Sequence, residues 1–172
     1  VSADKFKVNV NITPVTTTDP EIIEVEYQSV FNHLPYIRSK VIVEVSGRSM
    51  NEPVTTVGIS SFIDDVFTGA PFAEQKFEVC AVLPERTFLE KIFLLHEEFA
   101  RPSNLIRTER MSRHLYDVAQ IMNTPIAERA LLDENLYKTV IEHRRMFIGL
   151  KGFDYTTLLP QTLTLVPPEE IR

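Results

Sequence analysis

The sequence predicts an α+β fold, with strands in the first half of the chain and helices in the second. Residues 5–83 contain short alternating or β-branched runs, separated by Pro, Gly and Thr, which are typical of strands. After Pro84 the apolar residues recur every three or four positions, as in amphipathic helices. Strands followed by helices indicate segregated α and β structure rather than alternating βαβ units, within roughly one domain's length of 172 residues.

The strand predictions rest on side-chain alternation and on β-branched residues. Residues 5–12 alternate, so Phe6 and Val8 share a face with Val10. Residues 41–45 are apolar and β-branched except for Glu44, and Gly47 ends the run. Further extended segments are predicted at residues 53–58 and 77–83, whereas residues 22–31 fit a strand or a helix. Residues 60–67 are expected to form a short helical turn capped by Ser60 or Ser61.

Four helical segments are predicted after Pro84, at residues 87–99, 107–122, 126–132 and 133–147. The buried stripe of the first is Phe88, Leu89, Ile92, Leu95 and Phe99, and that of the second is Leu115, Val118, Ala119 and Met122. Asp133 is expected to cap the last helix, with Leu136, Val140 and His143 or Arg144 in register. Residues 163–166 are expected to be a short extended piece. The predicted layout is therefore a β part at residues 1–83 and a helical part at residues 84–172, packed as one unit.

The composition excludes several classes of protein. Apolar residues make up 44% of the chain and charged residues 24%, which is ordinary globular usage. The single cysteine excludes a disulfide framework, and a net charge of −6 does not indicate a nucleic-acid-binding surface over the whole chain. No apolar run approaches the roughly 18 residues of a membrane span, and no secretory signal pattern opens the chain. A cytoplasmic protein without a membrane partner is expected.

The charge is unevenly distributed along the chain. Residues 84–151 carry 11 basic and 10 acidic side chains, whereas residues 1–83 carry 6 and 11. Three of the four histidines also fall in the helical segment. An anionic ligand would be better received there than elsewhere, although exposed helices that carry charges of both signs explain the pattern equally well.

Lys91 is the first candidate for chemistry. At about 100° per residue it lies about 60° from the centre of the apolar stripe on its helix, so it sits at the edge of the buried face. A lysine in this position can pack its stem and extend its ammonium group into a cleft. The alternative is a surface lysine that pairs with Glu90 or Glu98.

Asp117 is the second candidate, on the following helix. It lies opposite the predicted apolar stripe, in one row with Arg110 and Arg113 and beside His114. Arg113 and Asp117 are four residues apart, so they can form a solvent-facing ion pair of up to ~0.5 kcal/mol. The functional interpretation is that this row faces a second layer or a charged ligand.

Glu44 is the third candidate, because it interrupts an otherwise apolar strand. A buried, unpaired carboxylate is costly there, and strand carboxylates of this kind hold Mg²⁺ or accept a proton. A strand with one wet face is equally consistent. The neighbouring acids Asp64 and Asp65 suit a helix start better than a metal site. The sequence contains no P-loop, G-x-G-x-x-G, G-x-S-x-G or H-E-x-x-H motif.

Two strings in the helical half resemble the AbiEii/AbiGii family, the nucleotidyltransferase toxins of type IV toxin–antitoxin pairs. The first runs from Val82 to Glu97 (VLPERTFLEKIFLLHE) and the second from Arg110 to Val118 (RMSRHLYDV). The tail from Asp154 is also similar to that family's closing segment. The resemblance is closest over residues 77–170 and looser over residues 5–69. It implies part of a polymerase-β-like sheet followed by a helical region.

The resemblance implies a function for each candidate. Such enzymes use Mg²⁺ to transfer a nucleotidyl group from an NTP to an acceptor, here RNA or protein. Lys91 matches the family's catalytic lysine and is assigned to the triphosphate, whereas Asp117 matches its late catalytic aspartate. Asp117 would orient Lys91 or help to activate the acceptor. Glu44 is carried over as a catalytic carboxylate and metal ligand, since such cores often place a third carboxylate on a central strand. Arg113 and His114 are carried over as phosphate contacts.

The sequence departs from the family pattern at its first motif. The family places a Gly-Ser pair and an Asp-x-Asp on its first strands, and these 172 residues contain neither. We therefore expect the chain to represent the later part of the enzyme and to be weakly active or inactive alone. The alternative is a non-catalytic fragment that serves as an interaction module for a partner such as an antitoxin.

Overall fold

A computed structural model describes residues 6–11, 21–29, 39–109 and 111–169. The chain divides into two compact units, Val1–Ser49 and Met50–Arg172. The strands are β1 (Phe6–Asn11), β2 (Glu21–Tyr27), β3 (Lys40–Val45), β4 (Val54–Ile59) and β5 (Phe77–Val82). The α-helices are α1 (Phe62–Val66), α2 (Pro84–Phe99), α3 (Met111–Ile121), α4 (Pro125–Leu132) and α5 (Glu134–Phe147). Two antiparallel sheets precede four helices, which confirms the predicted α+β class.

The first unit contains a three-stranded antiparallel sheet in the order β1-β2-β3. β2 is the central strand, so the ambiguous segment after residue 21 is a strand rather than a helix. An ion pair between Lys40 on β3 and Glu24 on β2 links the two strands. The apolar residues of β3 are exposed on both faces, because the residues described here place no second layer over them.

The second unit begins with β4 and β5, which pair antiparallel from Val54 opposite Val82 to Ile59 opposite Phe77. α1 connects β4 to β5 along the chain. Its N-cap is Ser61, whose hydroxyl accepts a hydrogen bond from the Asp64 amide. The adjacent acids are therefore part of a helix start, as the sequence predicts. The predicted division of the chain at residue 83 falls within this unit and stays a prediction.

α2 is the centre of the helical core and packs against α3, α4 and α5. Pro84 occupies its first turn, where a missing amide costs nothing. The predicted stripe is confirmed, since all five of its residues are buried: Phe88, Leu89, Ile92, Leu95 and Phe99. Phe93, fully buried as well, stacks edge-on against Tyr137 of α5 at 5.0 Å between ring centroids. Each such side chain contributes about 1.5–3 kcal/mol of hydrophobic stabilisation.

The predicted stripe of α3 is wrong at its C-terminal end. Ala119 is exposed and Met122 is 53% exposed. The buried or half-buried face instead consists of Met111, Leu115, Val118 and Ile121. The helix ends at Ile121 because Thr124 caps α4, accepting from the Ile126 amide, so Met122 falls in the turn. This rotation turns the face that carries Asp117 toward α2.

The last segment of the chain lies across α2 without forming a strand. Leu158 is fully buried, and Leu163 and Leu165 pack against the core. Buried His96 of α2 fixes the segment at two points. Its Nδ1 accepts from the Thr164 amide at 3.0 Å, and its Nε2 lies 3.2 Å from Thr157 Oγ1. Thr157 donates its own proton to the Asp154 carbonyl, so His96 carries its proton on Nε2.

This geometry makes the stability of the second unit depend on pH. Burial lowers the pKa of His96 below its usual value, against a smaller opposing effect of Glu97. The folded state therefore favours the neutral ring, which is stabilising above pH ~6.5 and is lost as pH falls through the folded pKa. We expect urea unfolding to show a steeper loss of stability between pH 7 and pH 5 for the wild type than for His96→Gln. Equal losses would contradict this assignment.

Candidate active site

Lys91 lies on α2 at the edge of the buried face, and its side chain is 22% exposed. Its Nζ donates a 2.7 Å hydrogen bond to Oδ2 of Asp117 on α3. The alternative partners on its own helix are engaged elsewhere. Glu90 accepts from Arg86 at 2.9 Å, and Glu98 accepts from Arg107. The structure therefore brings together the amine and the carboxylate that the sequence placed on successive helices.

Asp117 is 42% exposed and stays ionised at neutral pH. The hydrogen bond from Lys91 lowers the pKa of its carboxyl group, and burial opposes this only in part. The charge of Arg113 lowers it further. The pair that the spacing suggests between Arg113 and Asp117 does not form as a hydrogen bond among the described residues, because the carboxylate turns toward α2.

His114 is half-buried one turn before Asp117 on α3. Its Nδ1 is buried and has no hydrogen-bond partner among the residues that the structure describes. Burial lowers the pKa of the imidazole most, followed by the charges of Lys91, Arg113 and Arg107, whereas Asp117 raises it. His114 is therefore a neutral ring with hydrogen-bonding capacity that the described protein leaves unused.

The charges around this cluster favour an anion. Lys91, Arg113 and Arg107 all act electrostatically on His114, against the carboxylate of Asp117, and Arg107 is itself paired with Glu98. Arg107 also lines an open depression of about 460 Å³ with Ile106, Thr108 and Glu109. A surplus of cations at a half-exposed ion pair is the environment that a phosphate group prefers.

Glu44 lies in the first unit, on β3 opposite Ile22 of β2. It is exposed, so this strand has a solvent-facing side at Glu44, which is the alternative that the sequence leaves open. β3 is an edge strand of the sheet as described, rather than the central strand that the resemblance implies. The cluster at Lys91 is therefore built from the second unit alone, and a role for Glu44 stays a prediction.

Sequence reasoning missed the carboxylates that fix the frame of this site. Glu98 is buried and accepts from the Arg107 amide at 2.7 Å and from Arg107 Nε at 2.9 Å. It thereby ties the end of α2 to the loop that leads into α3. Glu97 is buried in a bidentate pair with Arg144 of α5. The available signal was the polar run His96, Glu97 and Glu98, which follows directly after the apolar run Ile92–Leu95 and precedes Phe99.

The described residues by themselves do not form the Mg²⁺ site that the resemblance implies. Within the described ranges, no three His, Cys, Asp or Glu side chains lie close enough together to hold a metal ion. The cluster at Lys91 instead offers the two ammonium N–H donors of Lys91 that Asp117 does not accept, together with the His114 ring. These donors suit phosphate oxygens rather than a cation. In the same part of the chain, no helix has the length and apolar character needed to cross a membrane.

Comparison with known proteins gives one family. No curated protein and no solved structure gives a significant match to the chain. The model of the nucleotidyl transferase AbiEii toxin family, from type IV toxin–antitoxin systems, matches residues 2–172. A match over nearly the whole sequence confirms the resemblance carried by the strings around Lys91 and Asp117. The chain therefore belongs to the AbiEii family of nucleotidyltransferase toxins.

Proposed function

We propose that the chain takes part in transferring a nucleotidyl group from an NTP to an RNA or protein acceptor, with Lys91 holding the triphosphate. The observation that carries the proposal is the 2.7 Å bond from Lys91 to Asp117 across two helices. Both residues lie in the strings that resemble the family. Arg113 and His114 are the accompanying phosphate contacts, and Glu44 is proposed as a further catalytic carboxylate and metal ligand. The family implies an antitoxin partner.

Lys91 is suited to this role because Asp117 orients its ammonium group while leaving N–H donors available for a ligand. An ammonium group has three donors, and Asp117 accepts one of them. The other two have no partner among the described residues. When the acceptor oxygen bonds to the α-phosphorus, the bond to the β-phosphate oxygen breaks and pyrophosphate leaves. A positioned cation stabilises the charge that develops on that leaving group.

Asp117 is better suited to orient Lys91 than to remove a proton from the acceptor. A general base works best when its pKa lies near the working pH. The Lys91 hydrogen bond instead holds the pKa of Asp117 below its ordinary value, which makes the carboxylate a weak base. We therefore assign Asp117 to fixing the position and charge of the ammonium group.

Titration with labelled NTPs tests this proposal. Lys91→Ala removes a charged hydrogen-bond donor, so we expect the affinity to fall by about 10- to 100-fold, as loss of a charge-assisted bond implies. Lys138→Ala is the matched control, since it makes the same change at an exposed lysine that pairs with Glu134 on α5. Equal effects of the two substitutions would refute a specific role for Lys91.

The same titration distinguishes the two candidate functions. The absence of Gly-Ser and Asp-x-Asp from these residues favours the second candidate, a non-catalytic interaction module. Binding that requires Lys91 supports the nucleotidyltransferase, and no binding of any NTP supports the interaction module. In a transfer assay with Mg²⁺ we expect little product from this chain alone. Robust turnover would contradict the expected incompleteness.

A further inference from the structure

We propose that His114 takes up a proton when a triphosphate binds at Lys91, so that the site binds phosphate chains more tightly as pH falls. This inference rests on the proposed function, because it assumes that the triphosphate lies beside Lys91. His114 would then be a cation whose charge depends on pH, in a site whose other cations are lysine and arginine side chains.

The geometry supports this role because His114 lies next to the Lys91–Asp117 ion pair. It precedes Asp117 by three residues on α3, which places the two side chains on one face of the helix. Its buried Nδ1 has no hydrogen-bond partner among the described residues. Among the described residues, Nδ1 therefore has no hydrogen bond that protonation of the ring would break.

The charges facing His114 come from each element around it. Lys91 belongs to α2, Arg107 to the connection before α3, and Arg113 and Asp117 to α3 itself. Partial burial and the charges of Lys91 and Arg113 outweigh the Asp117 carboxylate, while Arg107 contributes less and is itself paired with Glu98, so a further positive charge is disfavoured. In the unliganded protein the ring is therefore neutral at pH 7.

A bound triphosphate reverses this balance. It brings several negative charges next to the same three cations, so the imidazolium becomes the favoured form. Protonation gives the ring a positive charge and a second N–H donor, and because Nδ1 is buried, the imidazolium acts on the phosphate chain through its charge. Because linkage is reciprocal, the ligand that favours the proton must bind more tightly when the proton is present.

The histidine ring signals in NMR test the inference on the 172-residue protein, with and without sodium tripolyphosphate. This probe carries the phosphate chain common to all NTPs. We expect the pKa of His114 to rise when tripolyphosphate is added. We also expect the affinity for tripolyphosphate to increase by up to about tenfold per unit fall in pH, the limit for one linked proton.

The glutamine variant His114→Gln separates this effect from protonation of the ligand itself, which is common to both proteins. We expect the variant to retain only the ligand's own pH dependence. Binding that needs Lys91 but leaves the pKa of His114 unchanged would overturn this inference and leave the proposed function intact. If wild-type protein binds no tripolyphosphate at any pH, both fall. His114→Asn provides a second neutral variant. The NMR titration of the wild type tests the inference even if neither variant folds.

Discussion

Glu97→Ala is expected to lower the free energy of unfolding of the second unit by about 3–5 kcal/mol, the usual cost of breaking a buried ion pair. Arg144 donates from Nε to one oxygen of Glu97 at 2.8 Å and from Nη2 to the other at 2.5 Å. The two side chains are only 10% and 4% exposed. Removing the carboxylate leaves a guanidinium group buried without its partner, and urea unfolding measures the loss.

Two control variants distinguish the loss of a partner from the loss of a charge. Glu134→Ala breaks the exposed pair with Lys138 on α5, where we expect at most about 0.5 kcal/mol. The double variant Glu97→Met/Arg144→Met replaces the buried pair with apolar groups of similar length. We expect it to recover most of the stability, because both desolvation costs disappear together. A double variant as unstable as Glu97→Ala would show that the pair itself is required.

The core of α2 was predictable because a long amphipathic helix determines its own buried face. Its stripe repeats from Phe88 to Phe99 within a helix of 16 residues, so an error of one residue at either end of the helix does not change which face is predicted to be buried. α3 has only 11 residues, so the choice between Ile121 and Met122 depended on where the helix ends. That end is set by the Thr124 cap of the next helix rather than by α3's own periodicity.

The position of Lys91 on its helix was predictable from the sequence, but the residue that it hydrogen-bonds was not. Helical spacing placed Lys91 at the edge of the buried face, and the structure agrees. Spacing within one helix does not reveal which neighbouring helix packs against it, so the bond to Asp117 could only be expected from the resemblance. The burial of Glu97 is harder still to predict from the sequence. Glu97 can be buried because it pairs with Arg144. Arg144 lies 47 residues later in the sequence, and local sequence patterns do not reveal such a distant partner.

Glu98→Ala is expected to weaken both the fold and the proposed phosphate site, although Glu98 has no contact with Lys91 or Asp117 among its hydrogen bonds. Its side chain is 2% exposed and accepts bonds from the Arg107 amide and guanidinium group, with Arg101 Nη1 at 3.5 Å. Losing these charge-assisted bonds to a buried carboxylate should cost about 3 kcal/mol. Circular dichroism during urea unfolding measures it.

The pH dependence of the same carboxylate gives an independent measurement. Burial raises the pKa of Glu98, but the bonds from Arg107 and the charge of Arg101 outweigh it, so the pKa lies below its ordinary value. A lowered folded pKa stabilises the protein above pH ~4.3, and this contribution is lost as pH falls through the folded pKa. We therefore expect the difference in stability between wild type and Glu98→Ala to shrink in that acidic range.

The functional consequence follows from where Glu98 holds the chain. It joins the end of α2 to the residue that begins the approach to α3, and α3 carries Asp117. Without it, the distance between the Lys91 ammonium and the Asp117 carboxylate is no longer fixed. We expect several-fold weaker NTP binding under conditions where the variant is still folded. Glu85→Ala is the matched control, because it removes a carboxylate that ties α2 to Arg129 of α4 instead. If both variants bind NTP as the wild type does, Glu98 supports the fold alone and does not position the ion pair.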